Sequence, residues 1–205
     1  MLRYCLLVVC VFAASARAEI DGGLVEVAAT PDITYVRAGV GSHKQSDYLQ
    51  TAQYIRVYQS DDEIARGSDH FGEHKAQVAG IGVAGFGYLA DNPEKGGAEF
   101  AFELTHSQID DLDYDRTGFG IRMALWLPIY AGLQANLGAT VRPYFLSTDW
   151  RDDADFEYEY TIGLEYALHK MISVYAHQHQ FALVDKDEKV IQVAEGALAG
   201  VRIKF

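Results

Sequence analysis

Apolar and polar residues alternate one by one through four segments of this 205-residue chain, at 118–127, 133–142, 156–168 and 195–205. The second segment interleaves two sets of residues: Leu133, Ala135, Leu137, Ala139 and Val141 with Gln134, Asn136, Gly138, Thr140 and Arg142. Successive side chains of a β-strand point to opposite faces, so each segment is predicted to be a strand with one apolar face. A helix, with 3.6 residues per turn, could not separate the two sets.

Four less regular strands complete a set of eight, and the connections between the strands alternate in length. The additional strands are predicted at 50–59, 75–89, 98–106 and 171–183. Short connections are predicted at 90–96, 128–131 and 169–170, and long acidic ones at 61–74, 107–115, 148–155 and 184–191. This alternation is typical of outer-membrane barrels, which have short periplasmic turns and longer extracellular loops.

The number of strands depends on the N-terminal stretch 24–42. If the C-terminus is periplasmic, the strand that begins near Gln50 also starts on that side, and the preceding stretch must cross twice. The turn signal Thr30-Pro31-Asp32 divides this stretch into two strands. We therefore predict an all-β protein, a transmembrane antiparallel up-and-down β-barrel of ten strands. The alternative is eight strands with an irregular N-terminal arm.

The distribution of hydrophobic residues also favours a membrane barrel. No long apolar run follows residue 18, yet the chain contains 13 Tyr, 10 Phe and 2 Trp, and a transmembrane barrel carries its apolar surface in such short alternating strands. A soluble lipocalin-like barrel or a β-sandwich, the alternative, would turn the apolar face inward. The predicted lipid-facing or girdle aromatics are Trp126, Tyr130, Tyr144, Tyr158, Tyr160, Tyr166 and Tyr175.

The polar faces carry opposite charges among Gly, Gln, Asn and Thr residues, which suits the lumen of a membrane barrel. The charged residues are Glu99, Glu103, Arg122, Arg142, Glu157, Glu159, Glu165, Arg202 and Lys204. An eight-stranded barrel is just wide enough for its own side chains, and wide aqueous pores need about 16 strands. We therefore expect an ion-paired plug, with a narrow solute path lined by the same residues as the alternative.

Residues 1–18 have the features of a cleaved secretory signal peptide. Arg3 precedes an apolar run at 4–14 and a small-x-small site at 16–18. This run is shorter than the roughly 20 residues of a membrane-spanning helix. Both cysteines, Cys5 and Cys10, lie in this segment, so residues 19–205, predicted to be a single barrel domain, can form neither a disulfide nor a cysteine metal site.

The net charge of the mature chain limits the kinds of partner that it can bind. Without Arg3 and Arg17, 15 Lys and Arg remain against 29 Asp and Glu, a net charge of −14. Such an acidic chain disfavours nucleic acid as a partner.

Two histidine pairs are candidate sites. His177 and His179 share one strand face and could bind a metal or act as a general base. Lipid A deacylases of the outer membrane use a His with Ser and Glu, but this chain has no Ser beside the pair, so we expect girdle residues close to Tyr175 and Phe181. His70 and His74 could chelate zinc only if their Gly-interrupted loop were helical. We predict no catalytic residue, metal or cofactor.

Two acidic loops, 110–115 and 149–155, lack the Gly and the closing Glu of an EF-hand. Their carboxylates could nevertheless share divalent cations with the phosphates of lipopolysaccharide.

The last eleven residues, 195–205, end a dyad-repeat strand on an aromatic residue. This ending resembles the terminal signal that the barrel assembly machinery reads in bacterial outer-membrane β-barrels. The residues that carry it are Gly200, Val201, Ile203 and Phe205.

From Gly96 onward the chain resembles the YfaZ family of small Gram-negative outer-membrane proteins. The similarity rests on Gly96-Gly97-Ala98, Tyr144–Ser147 with the acidic loop after it, Glu159–Tyr166, Ser173–Ala176 and Gly200–Phe205. It covers the C-terminal half and implies an outer-membrane barrel without an assigned activity. His177-Gln178-His179 stands where a Tyr-Arg pair is expected.

Together these features predict a small integral outer-membrane barrel that is not an enzyme and has a structural, envelope-integrity or surface-contact role. We expect outer-membrane lipid, lipopolysaccharide and the barrel assembly machinery as partners, and a monomeric state. The alternatives are a narrow channel for small solutes and an outer-membrane enzyme of the lipid A deacylase type that uses His177.

Overall fold

The computed structural model describes residues 20–43, 47–60, 75–112, 114–148, 154–187 and 189–205. Four short 3₁₀ segments lie at Leu89–Asp91, Pro93–Lys95, Asp110–Leu112 and Tyr144–Leu146. None of the helical segments in these ranges is long and apolar enough to cross a membrane. The strands are β1 (Gly22–Ala29), β2 (Ile33–Ser42), β3 (Thr51–Ser60), β4 (Ala76–Tyr88), β5 (Gly97–Ile109), β6 (Tyr114–Tyr130), β7 (Leu133–Pro143), β8 (Ser147–Thr148), β9 (Ala154–His169), β10 (Ile172–Asp185) and β11 (Val190–Lys204).

Ten of these strands form a closed antiparallel barrel. Each pairs with its neighbour in the chain, β7 pairs with β9, and β1 pairs with β11 through Leu24–Ala29 opposite Ala199–Lys204. The two-residue strand β8 pairs with Thr117 and Gly118 of β6. The prediction of ten strands is confirmed. The turn between β1 and β2 is held by Thr30, whose hydroxyl oxygen accepts hydrogen bonds from the backbone N–H groups of Asp32 and Ile33.

The apolar side chains cover the outside of the barrel. In β1, Val27 is 45% exposed whereas its neighbour Glu26 is 2% exposed, and the same alternation continues around the sheet. The outward apolar set includes Val25, Val36, Ile55, Val57, Phe100, Phe102, Ile121, Met123, Leu125, Leu137, Ile162, Leu164 and Val201. A soluble barrel requires the opposite arrangement.

Two connections predicted to be long are shorter than predicted, because the strands on either side extend into them. β5 continues to Ile109 and β6 begins at Tyr114, while β10 continues to Asp185 and β11 begins at Val190. β5 and β6 continue there because the side chains of Ser107, Ile109 and Tyr114 point inward and are buried. The β6–β7 connection is also shorter than predicted, with Ala131 and Gly132 at φ 29° and 84° as its two residues. The predicted loop 61–74, residues 149–153 and the predicted signal peptide lie outside the described residues.

Buried apolar side chains occupy the lumen towards both ends. We call the end with the β1–β2, β5–β6 and β10–β11 connections the loop end, and the opposite end, with Phe205, the terminal end. The loop-end cluster contains Ala28, Ile33, Tyr35, Tyr58, Ala76, Val78, Ile109, Tyr114, Tyr175, Phe181, Leu183, Val193, Ala194 and Leu198. The terminal-end cluster contains Leu24, Leu49, Ala52, Tyr54, Ala84, Phe86, Ala101, Ala124 and Trp126.

Candidate functional site

The structure places all nine charged residues of the predicted lumen network on the inner face of the barrel. Lys204 is partly buried and the other eight are buried. Four further buried charges, Glu26, Arg37, Arg56 and Arg116, join them. The sequence could have indicated three of these as lumen residues, because each stands between two apolar residues: Val25-Glu26-Val27, Val36-Arg37-Ala38 and Ile55-Arg56-Val57.

Three arginines and three glutamates form a terminal-side network, to which six different strands each contribute one residue. Arg37 binds Glu99 through both carboxylate oxygens, at 3.1 and 2.7 Å, and lies 3.7 Å from Glu26. Arg202 binds Glu26 at 2.6 Å and Glu165 at 2.5 Å. The sixth member is Arg122, whose Nε lies 3.4 Å from Oε1 of Glu99.

A second, loop-side network consists of Arg56, Arg142, Glu103, Glu157 and Glu159. Arg56 binds Glu103 at 3.0 Å and also binds Glu159. Arg142 binds both Glu157 and Glu159, and its Nη2 is 3.9 Å from Glu103. Ser107 and Tyr114 each donate a hydrogen bond of 3.0 Å to Glu157.

Tyr54 links the two networks. Its hydroxyl donates a 2.8 Å hydrogen bond to Glu103, and the centre of its ring lies 3.8 Å from the guanidinium carbon of Arg37. A buried charge is tolerated when it is paired and hydrogen-bonded, and removal of one partner leaves the other uncompensated. The networks therefore tie strands together across the lumen, although pairing alone adds little net stability.

The terminal end of the lumen holds an aromatic cage around Lys204. Its Nζ lies 4.1 Å from the ring centre of Trp126, 4.9 Å from that of Phe86 and 5.4 Å from that of Tyr88. Cation–π attraction of this kind favours a partly desolvated ammonium group. The cage anchors the last strand to β4 and β6.

Trp126 and Tyr175 were predicted to face lipid, and this prediction is wrong. Trp126 is 3% exposed and its Nε1 donates a 2.8 Å hydrogen bond to Glu165, while Tyr175 is buried and stacks on His177. A buried indole N–H needs an acceptor, and the lumen carboxylate supplies one. The other predicted aromatics lie outside the lumen: Tyr130, Tyr144, Tyr160 and Tyr166 are exposed and Tyr158 is partly buried.

His177 and His179 also face the lumen and not the membrane interface. They are 5% and 3% exposed, and Nε2 of His179 lies 3.6 Å from Glu159. Ser173 donates a 2.5 Å hydrogen bond to the carboxylate of Glu165. No group of three or more potential metal ligands occurs in the described ranges. The candidate zinc pair His70 and His74 lies outside them, as does most of the acidic loop 149–155.

The C-terminal residues close the barrel. The backbone N–H groups of Gly23 and Phe205 each donate to the carbonyl oxygen of the other, at 2.5 and 2.9 Å. A Cβ at Gly200 would lie 2.6 Å from the ring of Tyr175, so the terminal strand needs glycine there to pack against the lumen aromatic. The role of Gly200, Val201, Ile203 and Phe205 in assembly stays a prediction.

No protein-family model and no curated protein matches the sequence. Among solved structures, the chain is similar to the outer-membrane-expressed OmpT of Vibrio cholerae, with a TM-score of 0.37, 9% identity and 84% of this chain covered. It spans little more than half (56%) of the OmpT chain. Neisserial surface protein A gives a TM-score of 0.37 at 12% identity, with 90% of this chain and 94% of that chain covered. Because similarities this weak carry no functional argument, the proposals below rest on the geometry of the chain itself.

Proposed function

We propose that the protein is an integral outer-membrane β-barrel with a closed lumen, which contributes to envelope integrity or surface contact. The observation that carries the proposal is the orientation of the two faces: aliphatic and aromatic residues point outward while arginine and glutamate pairs are buried inside. An apolar surface of this extent is unfavourable in water and favourable in lipid. In a closed barrel every strand has two neighbours, so no unpaired sheet edge would face the hydrocarbon.

The expected partners follow from this location. Outer-membrane lipid would contact the apolar band, and lipopolysaccharide would contact the loop end if that end is extracellular. The C-terminal strand would be read by the barrel assembly machinery, and we propose a monomer. The resemblance to the YfaZ family fits this proposal.

Heat-dependent gel migration tests the location and the closed barrel together. The detergent-extracted outer-membrane fraction is run with and without boiling. We expect the unboiled protein to migrate as a faster, compact band, because a closed barrel resists SDS until it is heated. Soluble periplasmic protein without a migration shift would overturn the proposal.

The lumen is closed by its own side chains. The two charged networks are packed among the side chains of the loop-end and terminal-end apolar clusters, so a hydrated solute would have to pass paired charges held against apolar and aromatic groups. Displacing these residues would break ion pairs in a poorly hydrated interior, which is costly. A narrow channel is therefore less well supported than a structural barrel.

Conductance in planar bilayers separates these two functions. We expect purified protein to give no discrete current steps above the protein-free baseline, while a 16-stranded porin in the same apparatus shows them. Reproducible unitary steps would contradict the closed lumen and favour the channel.

We propose no enzymatic function, and the surroundings of His177 support this. Its ring is buried against Tyr175, 4.3 Å away between ring centres, and the nearby Ser173 is hydrogen-bonded to a glutamate. A deacylase of the kind considered would need a serine activated by the histidine and open to a lipid substrate. The described residues offer no such pair.

A further inference from the structure

A cavity of about 30 Å³ lies in the middle of the lumen, between the two charged networks. Its lining includes Tyr35 of β2, Arg122 of β6, Thr140 of β7 and His177 of β10, which come from four different strands. This volume holds one or two particles the size of water. It therefore excludes phosphate and larger solutes.

Four polar atoms of this lining are buried and lack hydrogen-bond partners. They are Tyr35 Oη, Arg122 Nε, Thr140 Oγ1 and His177 Nε2, on side chains that are 7%, 9%, 1% and 5% exposed. A buried donor without an acceptor is costly, and native proteins seldom leave several together. Each of these four atoms can donate a hydrogen bond, with His177 in the tautomer that carries the proton on Nε2.

Arg122 is the least compensated arginine of the terminal-side network. Within the described ranges its ion-pair partner is Glu99, 3.4 Å from Nε, and Glu99 already binds Arg37 through both oxygens. Arg37 and Arg202, by contrast, each contact two glutamates. Arg122 therefore shares the charge of Glu99 with Arg37, and a water molecule would supply a hydrogen bond but no further negative charge.

We propose that this cavity binds a monatomic anion of the halide class, held by Arg122 and by the hydroxyl groups of Tyr35 and Thr140, with His177 as the fourth donor. Acceptors also line the cavity: Oε2 of Glu26 and Nδ1 of His179, and the carboxylate of Glu159, which is paired with Arg56 and Arg142. Glu26 does not repel the anion as a free carboxylate would, because Arg202 and Arg37 balance its charge at 2.6 and 3.7 Å.

Anion-dependent thermal stability tests the site. Full-length mature protein in detergent micelles is unfolded by heat in sodium chloride and in sodium gluconate of equal ionic strength, with tryptophan fluorescence as the readout. We expect the midpoint to be about 3 to 6 °C higher in chloride when chloride is at ten times its dissociation constant. Equal midpoints in the two salts would overturn the proposal.

Variants locate the effect. Arg122→Gln is expected to abolish the difference between the salts, and Thr140→Val, which retains every charge, to reduce it. The matched control is Arg116→Gln, because the Arg116 guanidinium binds Ser147, Thr105 and the carbonyl of Phe119 and does not line the cavity. This control is expected to retain the full chloride effect. The proposed site would be overturned if Thr140→Val keeps the full chloride effect and the Arg122→Gln protein, where it folds, keeps it as well. The anion would then bind elsewhere.

Crystals grown in bromide give a second readout that does not depend on stability. An anomalous peak beside Arg122 would support the site. Water density there without an anomalous signal would overturn it.

Discussion

Replacing Glu159 by glutamine is expected to lower the free energy of unfolding by about 3 to 5 kcal/mol, the cost of breaking a buried ion pair from one side. Glu159 binds both Arg56 and Arg142 and lies 3.6 Å from His179. Glutamine keeps the size of the side chain but removes the charge, so the two guanidinium groups lose a shared counter-charge. Urea unfolding of protein refolded into lipid vesicles measures the change.

The matched control for this substitution is Glu195→Gln on β11. Glu195 is an exposed carboxylate that accepts hydrogen bonds from Gln178 and Gln192. Exposed interactions of this kind contribute little, so we expect a change within about 0.5 kcal/mol. Equal effects of the two variants would mean that the loop-side network is hydrated and does not behave as a buried cluster.

The alternation of residues is a local property of the strand, and for this reason the sequence predicts the strands and the lumen face well. It separates Arg122 from Met123 and Glu157 from Tyr158 without knowledge of any tertiary contact. The same rule puts Trp126 on the face of Arg122. The prediction of a lipid-facing or girdle position for Trp126 rests on the general preference of tryptophan for membrane interfaces. The alternation places Trp126 in the lumen, where the carboxylate of Glu165 accepts a hydrogen bond from its indole N–H.

The ion-pair partners within the lumen cannot be predicted from local sequence patterns. Arg56 and Glu159 are 103 residues apart and meet only because the tilt and stagger of ten strands bring them to one level. The same applies to the strand ends near Ser107 and Tyr114. Their acidic surroundings suggested a loop, but both side chains donate hydrogen bonds to Glu157 inside the barrel. The orphaned donors around Arg122 likewise become visible only when β2, β6, β7 and β10 converge on one cavity.

The effect of an arginine on the outer face on the free energy of unfolding is expected to show whether this face contacts the membrane. Ile55 lies in the middle of β3 and is 60% exposed on the apolar outside. If this face contacts hydrocarbon, Ile55→Arg should lower the free energy of unfolding in lipid vesicles by about 2 to 4 kcal/mol, the cost of an arginine near the bilayer midplane. The measurement is equilibrium unfolding in urea, followed by tryptophan fluorescence.

Gln59→Arg, on the same strand and the same outward face, separates the depth effect from a general effect of added charge. Gln59 lies next to the loop end of β3, where an arginine would reach the interface and cost about 0 to 1 kcal/mol. A large loss for Ile55→Arg with a small loss for Gln59→Arg would follow the profile of a bilayer. In water both positions are solvent-exposed and both arginines would be nearly neutral. Equal, small effects at the two positions would therefore contradict the membrane location, whatever the state of the charged lumen.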